Sequence, residues 1–283
     1  MKVASDGAIV NTRSLPDYEP MLADYHRAFA KELRAMVGSL PIREGDRVLD
    51  LACGDGAYSH WLVERVGATG AVMAVDLLPA YLNVARDETN DERAGFAAAD
   101  IDRLPFPDDS FDLVWCAQSL FSLPSPVDAV RKMGRAARPG GVVAVLENDT
   151  LHQILLPWPI EVELAVRGAE LLGFVEDSER PRKFYVGRQL LEVFRAAGLE
   201  RCRKRTWASN RQAPLNTEER GFLEKYLRDL AERAGPHLDP KLRPAFERLV
   251  DPGSEDYMLD DPDFSLTCLD HVVLGFKPGP PIG

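Results

Sequence analysis

Val48-Leu-Asp50-Leu-Ala-Cys-Gly54-Asp-Gly56 is the stretch on which the reading of the fold turns. From Arg47 to Ala52 the chain is a short apolar run of the kind that forms a buried strand. Two glycines follow at once, and Tyr58 to Val66 then reads as a helix. A strand that runs through a glycine turn into a helix puts backbone amides at the carboxyl edge of a sheet, where open α/β sheets hold their ligands. The glycines let the chain approach such a ligand with no side chain between.

Outward from this turn the same rhythm repeats. Ala71–Asp76 predicts a second strand and Pro79–Arg86 a second helix, with proline in its first turn. Gly95–Asp100 is a weaker third strand and Phe111–Cys116 a fourth. Val127–Arg138 is a helix ended by Pro139-Gly-Gly141, and Val142–Glu147 is a fifth strand. Strands separated by helices predict a parallel sheet covered on both faces. Upstream, Met21, Leu22, Tyr25, Phe29, Leu33 and Met36 recur at helical spacing until Pro41. Downstream, Arg188–Ala197 predicts a helix, and Leu199–Ala208 and Leu266–Phe276 predict two strands. The expected architecture is a single α/β domain with a Rossmann-like, seven-stranded, mostly parallel sheet. Its core covers about 41–149, 186–210 and 265–278, after an N-terminal helical segment at 16–40. Two mainly helical cap insertions, about 150–185 and 211–264, complete it.

Composition narrows the function. With a net charge of −11, the surface repels phosphate backbones, so no nucleic acid is expected as a partner. The basic stretch Arg195–Arg205 reads as a solvated edge. Cys53, Cys116, Cys202 and Cys268 are scattered, with no C-x-x-C pair, so neither a disulfide framework nor a bound metal is expected. No apolar run is long enough to span a membrane, and Met1–Val10 lacks the order of a signal peptide. A cytoplasmic protein without membrane contact is expected, as a monomer or a homodimer.

The chemistry of the glycine turn separates two ligand classes. A dinucleotide fingerprint asks for G-x-G-x-x-G/A, and position 59 is Ser. Asp50 and Asp55 lie in or beside the turn where a pyrophosphate would rest, and carboxylates repel that anion. They suit a ligand carrying an ammonium and a sulfonium. Asp76, at the end of the second strand, is placed to accept both ribose hydroxyls of a nucleoside.

In this order and spacing, four segments resemble the class I S-adenosylmethionine (SAM)-dependent methyltransferases, in the branch similar to the ubiquinone/menaquinone-biosynthesis C-methyltransferases. They are Val48–Gly56, Val75–Leu82, Ala99–Asp112 and Arg138–Gly141. The resemblance covers about residues 45–148. It implies SAM as cofactor and a small molecule as methyl acceptor. It further implies that Asp50, Ala52, Cys53, Gly54 and Gly56 hold the amino-acid end of SAM and Asp76 the ribose. Asp100 would accept from the adenine amine beside Ile101, with Leu77 and Tyr81 packed on the ring, although the family often has Met at position 81. Backbone at Cys116, Ala117 and Gln118 would pass the methionine part; the family often has His just after this strand.

Methyl transfer from a sulfonium needs alignment first, and a base only where the acceptor must lose a proton. The candidates for catalysis are His152 in the loop after the fifth strand and Tyr25 on the leading helix. Tyr18, His26, Glu147 and Tyr185 lie where the chain passes over the strand ends. The apolar insertion from Leu151 to Leu172, with Ile154, Trp158, Ile160, Val162, Leu164 and Val166, either lines a greasy acceptor pocket or buries the cap itself. Two other functions share these features. One is a nicotinamide oxidoreductase, disfavoured by the acidic turn, and the other is a SAM-binding protein without activity.

Overall fold

The computed structural model describes residues 15–16, 19–148, 154–177 and 186–279. Five parallel strands form its centre: β1 (Arg47–Leu51), β2 (Ala71–Asp76), β3 (Ala94–Ala98), β4 (Phe111–Ala117) and β5 (Ala137–Glu147), in the order β3-β2-β1-β4-β5. Chain order reverses between β1 and β4, so the ligand crevice expected of an open sheet lies beyond their carboxyl ends. β8 (Ser265–Phe276) runs antiparallel to β5, with Glu147 opposite His271. Its first half therefore projects past the end of β5, over the crevice edge. β7 (Glu200–Gln212) pairs along the outer side of β8. The two-residue β6 (Ile154–Leu155) pairs with Thr267 and Cys268, and brings the count among the described residues to eight. The basic stretch Arg195–Arg205 runs from the end of a helix into this edge strand, largely in solvent.

The sheet is covered on both faces. Val48, Leu113, Trp115, Ala144 and Val272 face one core, shared with the N-terminal and cap helices. Leu49, Leu51, Val114, Cys116 and Val143 face the other. Successive residues of one strand thus enter opposite cores, which is why these strands read as continuous apolar runs. α3 (Ala57–Val66) starts at Gly56, and α4 (Pro79–Thr89) follows β2 with proline in its first turn. α5 (Pro126–Ala136) is capped by Ser125, whose hydroxyl accepts from the Asp128 amide.

One expectation needs correction, and one open alternative is answered in part. The leading segment is two helices, α1 (Glu19–Ala28) and α2 (Ala30–Gly38), broken at Phe29 (φ −114°, ψ 15°). Periodicity survives such a break because the ring of Phe29 stays buried on the same stripe. The cap run buries itself in part. In α6 (Ile160–Asp177), Val162, Val166 and Ala169 pack into the core with α8 (Thr217–Ala234), while Ile160, Leu164, Leu172 and Val175 turn outward. Trp158 stacks near Phe246 of α9 (Arg243–Val250). α7 (Val186–Ala196) covers the opposite face of the sheet.

Candidate active site

The turn after β1 departs from ordinary backbone at three of five positions: Ala52 (φ +58°), Gly54 (φ +53°) and Gly56 (φ +87°). Its two glycines serve different ends. A Cβ on Gly56 would sit 2.6 Å from the Ala85 Cα, so this glycine lets α3 approach α4. A Cβ on Gly54 would meet nothing within 4 Å, so packing does not demand glycine there. What it leaves is an open approach to the turn. The Cys53 amide donates to the Val75 carbonyl (3.0 Å), which ties the turn to β2. The Cys53 thiol is raised well above its ordinary range by burial and by the carboxylates around it, so it is no nucleophile.

Three carboxylates surround this turn. Asp50, 1% exposed, accepts from the Ser59 hydroxyl at 2.6 Å. Burial pushes its carboxyl up to about 7; the Ser59 hydrogen bond opposes this, and the charges of Asp76 and Asp55 add to it. The same Ser59 that broke the dinucleotide fingerprint therefore has a positive role. Asp76 accepts from the Gly54 amide (3.0 Å) with one oxygen and the Leu78 amide (2.9 Å) with the other. Burial raises its carboxyl against the pull of those donors. Asp55 is also buried, but there the His26 imidazole and the Ala57 amide outweigh burial and bring the carboxyl below its ordinary value. His26 Nδ1 lies 2.8 Å from Asp55 Oδ2.

Leu77 is 57% exposed, an apolar shelf immediately after Asp76. Tyr81 is buried on α4. Asp100 is exposed and accepts from the Asp102 amide (2.9 Å), so it caps the helical turn that begins at the half-buried Ile101. Cys116 and Ala117 end β4 in the core. Gln118 follows with φ +48°, its amide donating to Leu146 and its side-chain oxygen buried without a partner. Two non-glycine residues in left-handed backbone, Ala52 and Gln118, thus stand at the ends of the two strands that flank the crevice. Strain of this kind concentrates at ligand sites.

A second group of buried acids lies at the end of β5 and on the part of β8 that projects past it. Asp270, 1% exposed, accepts from the Tyr25 hydroxyl at 3.0 Å. Burial pushes its carboxyl up to about 6, opposed by hydrogen bonds from Tyr25 and Asn148. The Tyr25 phenol is raised well above its ordinary value by burial and by Asp270, so it stays protonated and donates. Glu147, pushed up to about 8 by burial, accepts from the Leu120 and Phe121 amides and fixes the turn after β4. His152, Tyr18 and Tyr185 lie outside the described residues. Sequence reading missed Asp270 and the His26–Asp55 pair. The first could have been suspected from an acid inside the apolar run Leu266–Phe276; the second joins residues 29 positions apart and left no local trace.

The residues present fit a cationic nucleoside. Asp50 and Asp76 are held by neutral donors only, beside an open glycine turn and an exposed apolar shelf. The chain belongs to the class I SAM-dependent methyltransferases, and SAM is the cofactor of that class. A family profile described as "Methyltransferase domain" matches residues 49–145. The ubiquinone/menaquinone biosynthesis C-methyltransferase UbiE of Methylococcus capsulatus is 32% identical over 183 residues, 60% of this chain and 73% of that protein. Methyltransferase GfsG of Streptomyces halstedii is 38% identical over 112 residues, 38% of this chain; the chain spans only 40% of its length. Among solved structures, the YcgJ protein of Bacillus subtilis shares the fold with a TM-score of 0.54 at 18% identity, over 89% of this chain and 100% of that one.

Proposed function

We propose that this chain transfers a methyl group from SAM to a small, hydrophobic or aromatic acceptor by in-line displacement. The observation that carries the reading is the set of buried carboxylates Asp50, Asp55 and Asp76 around an open glycine turn. When bound, SAM supplies an electrophilic methyl carbon on a positively charged sulfur. The protein's part is binding and alignment, and good alignment contributes roughly 7–11 kcal/mol.

Asp76 accepts the ribose hydroxyls with lone pairs left over from its two backbone hydrogen bonds. Asp50 faces the ammonium, whose charge relieves the repulsion it suffers from Asp76 and Asp55. Ala52, Cys53, Gly54 and Gly56 present backbone to the same end of the ligand. Leu77, Tyr81 and Ile101 enclose the adenine, and Asp100 accepts from its amine with the oxygen not used for capping. Cys116, Ala117 and Gln118 pass the methionine chain. Tyr25, positioned by Asp270, lies on the acceptor side, with aromatic rings of Phe29 and Phe222 behind it. That aromatic wall supports the apolar acceptor.

The test is calorimetric titration with SAM and with NADH. The wild type binds SAM and not NADH. Asp76→Ala weakens SAM by at least about a hundredfold, the scale expected when charge-assisted hydrogen bonds to a buried ligand are lost. Unchanged SAM affinity in that variant overturns the reading.

A further inference from the structure

The amino-acid end of SAM poses an electrostatic problem that the carboxylates do not solve. It carries an ammonium, which Asp50 suits, and a carboxylate, which Asp50, Asp55 and Asp76 repel. A carboxylate entering this crevice needs a donor. The Gly54 amide is already committed to Asp76 and the Tyr25 hydroxyl to Asp270.

His26 is different. Its side chain is 8% exposed, and one ring nitrogen is engaged, with Nδ1 2.8 Å from Asp55 Oδ2. Its other nitrogen, Nε2, is buried and makes no hydrogen bond. An unpartnered buried polar atom is costly and calls for an explanation. The ring cannot easily turn to find a partner. It packs edge-to-face with the Tyr58 ring (5.2 Å, 82°), and the Tyr25 ring lies 5.9 Å away. Asp55 is itself part of the glycine turn, next to Gly54, and is steadied there by the Ala57 amide. The imidazole is therefore pinned to the turn that receives the amino-acid end, and its charge is felt at Asp50.

We propose that His26, held by Asp55, is the residue that binds the carboxylate of the methionine moiety of SAM. This rests on the reading of the crevice as a SAM site. With Asp55 accepting from Nδ1, the ring engages an anion as imidazolium through the N–H on Nε2, and Asp55 balances its charge. The pair is then a neutral unit with one donor facing the ligand. Because His26 belongs to α1, the arrangement also couples the leading helix to the bound ligand. The specificity that follows is for the intact amino acid: a ligand with the ammonium but no carboxylate loses this contact.

Three probes test this by calorimetry, without any methyl acceptor. S-adenosylhomocysteine carries both groups, decarboxylated S-adenosylhomocysteine lacks only the carboxylate, and 5′-methylthioadenosine lacks the whole amino-acid end. The wild type should bind the first at least about tenfold tighter than the second. His26→Ala should weaken the first about tenfold and leave the other two within about twofold, and His26→Gln, which keeps an N–H donor, should recover most of the loss. A wild type that does not distinguish the first two probes overturns the proposal whether or not any variant folds. Equal losses on all three probes overturn it too. A wild type that binds none of the three removes the SAM site itself, and the proposal with it.

Discussion

Glu170 in the cap and Asp50 in the crevice are equally hidden from water and oppositely partnered. Glu170 lies between two guanidinium groups, Arg167 (3.3 Å) and Arg233 (2.9 Å), each of which holds a second acid, Glu163 and Asp229 respectively. Asp50 has one hydroxyl and two neighbouring carboxylates. Burial raises both carboxyls; in the cap two guanidinium groups hydrogen-bonded to the acid act against it, whereas the His26 ring that acts on Asp50 is hydrogen-bonded to Asp55 and not to Asp50. The difference separates a charge cluster that is complete in the protein alone from one that a ligand completes. Buried acids that lack a hydrogen-bonded cation of their own, as Asp50 and Asp76 do, are what an active crevice leaves when its charge partner is the substrate or cofactor.

The sharpest way to break this comparison is Glu170→Ala. It leaves two buried guanidinium groups short of a partner and should cost about 3 kcal/mol, the low end for a broken buried pair because Glu163 and Asp229 remain. Chemical denaturation reads that loss. SAM affinity of the folded variant should be unchanged, and a tenfold loss would erase the distinction between the two clusters.

Asp50→Asn probes the other side. Because the folded-state carboxyl is raised to about 7, its favourable contribution is complete below its ordinary value of 3.8 and is lost as pH rises toward 7. The apo protein should therefore lose stability across that window, with Asp270, raised to about 6, adding to the same slope. Replacing Asp50 by Asn should shrink the fall in Tm between pH 5 and pH 7.5 by roughly 2–4 °C, the equivalent of about 1 kcal/mol for a domain of this kind. It should also weaken SAM, the reverse of the Glu170 result. A variant with the wild-type slope would show that Asp50 is not the strained group.

The smallest effect belongs to Gly54→Ala. Nothing obstructs the added methyl, so only the left-handed backbone opposes it, at about 1–2 kcal/mol. Thermal melts should show that modest loss, while calorimetry shows a SAM affinity reduced more than stability alone would cause. Equal SAM affinity would mean that the open side of Gly54 does not face the ligand.

Much of the fold was legible because its signals are local. Four of the five central strands are short runs of five to seven residues, and the run from Val48 to Gly56 carries both the strand and its glycine turn; the fifth, Ala137–Glu147, starts earlier than its apolar run and passes through Pro139-Gly-Gly141, which reads in sequence as a break. The break at Phe29 was not legible, since a helix that kinks while keeping one buried stripe preserves the spacing of its apolar residues. Nor was the outward face of α6, because Ile160 and Leu164 look in sequence like the buried Val162 and Val166. Which apolar face is covered depends on the neighbour, here α8, and not on the helix itself.

For the site, sequence alone determined the identity and spacing of Asp50, Gly54, Gly56 and Asp76, because a strand, a turn and the next strand bring them together within one βαβ unit. Tertiary structure decided what charges they feel. His26 reaches Asp55 only because α1 folds back over the turn, and Asp270 reaches Tyr25 across 245 residues only because β8 inserts antiparallel beside β5. Burial and the distances between distant acids set the charge state of the crevice, and those quantities exist only once the chain has closed on itself.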